Sequence, residues 1–256
     1  MPGRCFRSLL PALFAALLAV GPAAAEKPAL RVALSLDIPP YVMRQATDGL
    51  EVASAGQALA EYELRVVQMP YAALETAVQQ GRADVSIGVQ QREPGIFYSR
   101  EFITFVNAAI SKKAAGLAIT TVMDLTRYRV LAWENAWYDL GGAFGELFAP
   151  NSPHRADYTE FADQREQVRR FWRDTADIAV IDRSVFAWFS QELGYRSDEA
   201  VAHLLFAPVT GFRVAFRDAA VRDDFDRGLA RLCAGGGYDT LLARYGVVLE
   251  TTICAG

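Results

Sequence analysis

The chain has 256 residues, with 26 Lys and Arg against 30 Asp and Glu, a formal charge of -4, 52% hydrophobic residues and three cysteines. A mildly acidic balance argues against nucleic acid as a partner, because that binding rests on Lys and Arg pairing with phosphates. The length accommodates one domain or two lobes, in either case with a substantial core.

The first 25 residues read as a secretory signal peptide. Arg4 and Arg7 form a basic start, Ser8 to Val20 an apolar run, and Ala23-Ala24-Ala25 a small-residue cleavage site. Cleavage there removes two arginines and no acid, so 256 − 25 = 231 residues remain and the charge moves from -4 to -6. No other segment approaches the roughly 20 apolar residues of a membrane span, so a soluble exported protein is expected. Cys5 precedes the apolar run and is poorly placed for a lipid anchor. Cys233 and Cys254 remain, an even pair expected to form a disulfide in an oxidising compartment; two unpaired buried thiols are the alternative.

Leu30 to Leu36 alternates as a first strand, and Asp37-Ile38-Pro39-Pro40-Tyr41 breaks it into an extended loop that presents Tyr41. A helix over Val52 to Tyr62, a strand over Leu64 to Gln68, a helix over Ala72 to Gln80 and a strand over Asp84 to Val89 follow. That alternation predicts a parallel α/β lobe. Phe105 to Lys112 reads as a further strand, and KKAAG at Lys112 to Gly116 has the composition of a crossing between lobes.

A second series begins at Asp124. Tyr128 to Trp133 is a strand, and the turn Glu134-Asn135-Ala136 leads to a helix over Tyr138 to Phe148, with Asn135 the residue best suited to a left-handed conformation. A strand over Tyr158 to Phe161 and a helix over Asp163 to Arg173 precede the nearly continuous apolar run Ala176 to Ile181, which suits a strand buried on both faces. Asp182 or Ser184 then caps a helix carrying Val185, Phe186 and Phe189. Ligands in open α/β sheets bind outside the carboxyl ends of strands, which makes Asp182 a pocket candidate. Leu204 to Pro208 leads back across to a strand over Gly211 to Phe216, a helix around Val221 to Leu232, and a last helix over Tyr238 to Tyr245. Gly81 to Val89 and its preceding helical run echo the run into Asp182, which suggests two similar lobes.

In this order the landmarks resemble the family 3 bacterial solute-binding proteins, periplasmic receptors of polar amino-acid ABC transporters. The matching stretches are RVALSLDIPPY at Arg31 to Tyr41, DGLEV at Asp48 to Val52, QGRADV at Gln80 to Val85, FYS at Phe97 to Ser99, ADIAVID at Ala176 to Asp182, and GFRVAF from Gly211 followed by LLARYG at Leu241 to Gly246. The resemblance implies an α/β fold of two lobes, the two-lobed periplasmic binding protein fold of type II. Each lobe would be a mostly parallel sheet flanked by helices, with two crossover segments. One lobe would be 26–115 plus 211–256, the other 116–210. It implies a non-enzymatic monomer that captures a small polar solute between the lobes and passes it to an inner-membrane ABC permease.

By the same resemblance Asp182 pairs with a ligand ammonium and Arg92 with its carboxylate, the charge-assisted bonds a zwitterion needs. Gln90 lies beside Arg92. Asp37, Tyr41, Tyr71, Trp133 and Asn135 complete the expected site, the aromatic residues stacking on a ring or a cation. Val89 stands where the family has a threonine, and Asn135-Ala136 where it has Gly-Thr or Gly-Ser, so a solute other than an α-amino acid is also admitted. Two further readings of the same fold are an accessory protein of a periplasmic quinoprotein dehydrogenase and a cyclohexadienyl dehydratase, for which Glu134 or Asp37 would supply a general acid. His154 and His203 lack metal-ligand spacing, and neither GxSxG nor a phosphate loop occurs, so no metal or cofactor is expected.

Overall fold

The computed structural model describes residues 26–90, 93–174, 177–207, 210–249 and 253–255. The expected signal peptide and Arg92 lie outside the described residues. The chain begins with β1 (Ala29–Ser35), α1 (Leu50–Ala58), β2 (Glu63–Met69), α2 (Tyr71–Leu74) and β3 (Val85–Val89). Two short strands, β4 (Phe97–Tyr98) and β5 (Ile103–Phe105), precede β6 (Asn107–Lys112). Next come β7 (Arg129–Trp133), α3 (Ala136–Asp139), α4 (Gly142–Phe148), β8 (Tyr158–Phe161), α5 (Gln164–Arg173), β9 (Asp177–Asp182), α6 (Arg183–Glu192) and β10 (Ala200–His203). The chain closes with β11 (Thr210–Phe216), α7 (Ala219–Ala234) and α8 (Gly237–Tyr245).

The described strands form two sheets. The first has the order β2-β1-β3-β11-β4, with β5 also on β11, and the second has the order β10-β6-β9-β7-β8. In each, three neighbouring strands run parallel, β2-β1-β3 and β8-β7-β9, and a strand from beyond a crossing joins antiparallel, β11 on β3 and β6 on β9. The echo seen in the sequence is therefore a structural repeat. Each half also repeats one ion pair: Arg31 on β1 meets Asp84 before β3 at 2.8 Å, and Arg129 on β7 meets Asp177 at the start of β9 at 2.7 Å.

Several expectations need correction. The strand expected over Phe105 to Lys112 is divided: β5 pairs in the first sheet and β6 in the second, so the chain crosses at Val106 and not at Lys112 to Gly116. Apolar composition alone does not separate two strands that share one continuous run. The helix expected over Ala72 to Gln80 is regular only over Tyr71–Leu74 and continues as turns. The helix expected over Tyr138 to Phe148 breaks into α3 and α4, because Gly141 and Gly142 adopt φ of 54° and 48°. Strand β10 was not anticipated; it is a partly exposed edge strand and carries no buried apolar run.

Apolar side chains from both halves pack into one cluster, which includes Leu34, Leu50 and Phe105 from the first and Phe171, Ile181 and Phe186 from the second. Cys233 and Cys254 are joined by a disulfide that ties the end of the described chain to α7. Helix α7 crosses α1 at Gly228, where a Cβ would lie 2.0 Å from the carbonyl oxygen of Ala58. Backbone cannot yield as a side chain does. Gly228→Ala should therefore destabilise the protein by about 2 kcal/mol or more. By contrast, Gly56 in α1 has open space at its Cβ position, and Gly56→Ala should stabilise by about 0.5–1 kcal/mol. Urea unfolding checks both: the midpoint should fall for the first and rise for the second at unchanged slope.

Candidate functional site

A cavity of about 60 Å3 lies between the two sheets. Its wall is drawn from strand ends: Ser35 is the last residue of β1, Gly88 the penultimate residue of β3, Trp133 the last of β7, Phe161 the last of β8 and Asp182 the last of β9. Both halves thus bring the carboxyl ends of their parallel strands to one place, the position at which open α/β sheets hold ligands. Glu51 in the first turn of α1, Tyr71 in α2, and Phe105 and Phe212 from β5 and β11 complete the first half's share. Asn107 in β6 and Gln164 at the start of α5 add side-chain amides.

Asp182 is the most constrained of these groups. It is 4% exposed and caps α6: its Oδ1 accepts from the backbone N–H of Ser184 at 2.9 Å and of Val185 at 3.1 Å. Its Oδ2 accepts from the N–H of Val106 at 2.8 Å, which clamps the first crossing. The Tyr41 hydroxyl, from the other half, donates to Oδ1 at 3.5 Å. Burial pushes the Asp182 carboxyl up to about 6, and the three backbone N–H bonds hold it from rising further. Two oxygens offer about four acceptor sites, and these four donors fill that number.

Glu51 escaped notice in the sequence. It is 1% exposed, and burial pushes its carboxyl up to about 8. Among the described residues its Oε1 has no hydrogen-bond partner, and neither has Ser35 Oγ. The signal was present: at helical spacing Glu51 shares a buried face with Ala55 and Ala58, so an acid stands on the core side of α1.

Of the expected site residues, Asp182, Tyr71 and Trp133 line the cavity. Tyr71 donates from its hydroxyl to Glu75 Oε1 at 3.0 Å, and the Trp133 indole donates to Asp139 Oδ2 at 3.1 Å. Tyr41 stands behind the wall, its ring 4.4 Å from that of Phe105. Asn135 has the left-handed conformation expected of it, φ 62°, and its amide reaches Glu75 Oε2 in the other half at 3.4 Å. Gln90 is tied to the carbonyl of Gly211 at 3.2 Å, and the Asp37 carboxylate accepts from Gln68 at 2.9 Å and from the N–H of Gln45 at 3.1 Å. Tyr41, Asn135, Gln90 and Asp37 are not cavity-lining residues. Glu134 accepts from the N–H of Ala72 at 3.0 Å, a further polar contact between the halves.

No family model matches the sequence. No curated protein matches it either. Solved structures do. Over 88% of this chain and 97% of the other, it superposes on ArtJ, the arginine-, lysine-, histidine-binding protein of Geobacillus stearothermophilus, with a TM-score of 0.69 and 13% identity. The amino acid ABC transporter substrate-binding protein AbpA from Streptococcus pneumoniae, bound to L-arginine, matches over 85% of this chain and 94% of its own at TM-score 0.66 and 18% identity. A histidine kinase sensor domain with similarity to periplasmic binding proteins matches over 88% and 99% at TM-score 0.71 and 19% identity. The fold is that of the periplasmic binding proteins. Within this fold, the cavity described above lies between the two sheets. Among the described residues no helix is long and apolar enough to cross a membrane, and no group of three or more His, Cys, Asp or Glu is placed to hold a metal.

The buried acids set a pH dependence whose sign is fixed. Glu51 binds its proton more tightly in the folded chain, at about 8 against an ordinary 4.5, so its contribution to stability is complete below about pH 4.5 and lost as pH rises to 8. At about 1.4 kcal/mol per pH unit the loss is of order 5 kcal/mol. Asp182 adds a smaller loss of the same sign between 3.8 and about 6. Glu51→Gln has no proton to release. Urea unfolding at pH 4.5 and pH 8 should show the variant close to wild type at the lower pH and several kcal/mol more stable at the higher.

Proposed function

We propose that this protein is a periplasmic solute-binding protein: a monomer that captures a small polar solute, an amino acid or a related compound, in the cavity between the sheets and delivers it to an ABC transporter. In this reading each sheet with its helices acts as a lobe, the lobes divided at Val106 and between His203 and Thr210. The observation that carries the reading is a cavity whose wall is drawn from the strand ends of both halves and includes the buried carboxylate of Asp182. A ligand that touches both lobes stabilises their closed arrangement by its differential affinity for it. The fold neighbours support the reading, because ArtJ and AbpA bind amino acids with cationic side chains. Export by the sequence's first 25 residues accords with it, and Arg92 is assigned the ligand's carboxylate when one is present.

The reading is non-enzymatic. The acids considered for dehydratase chemistry are engaged elsewhere, Glu134 with the N–H of Ala72 and Asp37 with Gln45 and Gln68.

A thermal-shift screen of the refolded, ligand-stripped protein against amino acids, polyamines, small organic acids and aromatic metabolites tests the proposal. A ligand at 100 times its dissociation constant stabilises the folded state by about 2.7 kcal/mol. Asp182→Asn keeps the side chain's size and an acceptor for the α6 cap while removing the charge, and it should abolish the shift. An unchanged melting profile across the whole panel would sink the receptor reading.

A further inference from the structure

We propose that Glu51 and Ser35 form an inner subsite of the cavity that receives an ammonium group of the ligand, so that the solute carries a compact organic amine. The proposal rests on the reading of the cavity as a ligand site and adds the chemistry of the group it holds.

Three observations carry it. First, Ser35 Oγ and Glu51 Oε1 are buried, line the same cavity and have no hydrogen-bond partner among the described residues. Each such group costs the fold its desolvation, and native proteins hold few of them. Two on one wall of one cavity mark a place built to be completed by a bound donor. Second, the carboxyl is positioned rather than loose. The N–H of Glu51 is fixed to the carbonyl of Tyr41 at 2.9 Å, and β3 comes so close that a methyl group at Gly88 would lie 3.0 Å from Glu51 Oε2. Third, the described lining residues include two acids, Glu51 and Asp182, and no Lys, Arg or His. The rings of Phe105, Phe212, Tyr71 and Trp133 surround them, and ring faces attract cations as carboxylates do. Among the described lining residues an ammonium meets complementary charge.

Size limits the class. The cavity, about 60 Å3 and partly open to solvent, suits a compact group such as a short alkylamine or an amine-bearing side chain.

The subsite also predicts where a proton goes. Glu51 is protonated in the free protein at neutral pH, because burial holds its carboxyl up at about 8. An arriving ammonium keeps its own proton and favours the carboxylate, so the carboxyl proton leaves to the buffer. The titratable groups that feel Glu51 are Tyr41 from the preceding loop and Tyr238 from α8, both phenols whose own titration burial pushes upward. Helix α7 meets the core through Phe225, Gly228 and Leu229, and β3 meets the carboxyl through Gly88, none of which titrates.

Calorimetric titration of wild type, Glu51→Gln and Ser35→Ala with 1-butylamine, 1,4-diaminobutane, 1-butanol and butyrate at pH 7.5 decides it, with the amino-acid panel run beside them. An amine should bind wild type while butanol and butyrate do not. Its enthalpy should vary with the buffer's ionisation enthalpy, reporting the released proton. Glu51→Gln should weaken amine binding at least tenfold, abolish the buffer dependence and raise the melting temperature of the free protein; Ser35→Ala should weaken binding two- to fivefold. A merely structural acid would not lower affinity while its replacement raised stability. Amine binding unchanged in Glu51→Gln would overturn the subsite and leave its oxygens to water. Amino acids binding where no amine does would overturn it while the receptor reading stands, and silence from every solute would overturn both.

Discussion

Asp182 is the group on which the arrangement depends. One carboxylate ends β9, caps α6 through Ser184 and Val185, and holds Val106 at the point where the chain leaves one sheet for the other. The Arg183 N–H returns a bond to the Val106 carbonyl at 3.1 Å, so strand end, helix start and crossing are locked together. Burying a carboxylate this deeply is costly unless donors surround it. Here three backbone N–H groups, two of them at the N-terminus of α6, and the Tyr41 hydroxyl supply that compensation. Structural cap and cavity wall are thus one side chain.

The position follows from a repeat. Each half places a first strand between its second and third, then accepts an antiparallel strand from beyond a crossing, giving β2-β1-β3-β11 and β8-β7-β9-β6. Arg31 with Asp84 and Arg129 with Asp177 clasp the amino ends of the paired central strands in both halves. With those ends fixed outward, the carboxyl ends converge. Hydrogen bonds from Arg31 hold the Asp84 carboxyl below its usual range, whereas Asp182 at the opposite end of such a strand is raised by burial. The same residue type serves as an ion-paired clasp at one end of the strand layer and as a buried cavity-lining group at the other.

Much of this was legible in the chain. Strands with continuous β-branched runs, Val85 to Val89 and Asp177 to Asp182, fall within a residue or two of expectation, since burial on both faces leaves a strong signal. Asn135 in the left-handed region and Asp182 as a cap follow from side-chain chemistry that acts locally. What escaped depends on distant partners. The division of Ile103 to Lys112 between two sheets is set by which strands arrive later, β11 for one part and β9 and β10 for the other. The two residues of β4 exist as a strand only because Ala215 and Phe216 pair with them. At the site, Asp37 and Gln90 are chemically apt for a ligand, yet the backbone and amide groups of the fold claim them first. Glu51 shows the converse: an acid on a helix's core face has no meaning within the helix and acquires one from the cavity opposite.

Polar contacts that join the halves include Tyr41 with Asp182 at 3.5 Å, Asn135 with Glu75 at 3.4 Å, Asn107 with Thr210 at 3.1 Å and Glu134 with the N–H of Ala72 at 3.0 Å. Bonds of this kind exchange with water at little net gain. Bringing the halves together without a ligand therefore leaves the Glu51 carboxyl in an apolar surround with an oxygen unmet, a cost those contacts do not offset. An ammonium between Glu51 and Asp182 reverses the balance, converting the closed interior from the place where the acids are least stable to the place where they are best satisfied. In the proposed reading recognition and closure then share one origin, because the ligand binds most tightly to the arrangement that is unfavourable without it.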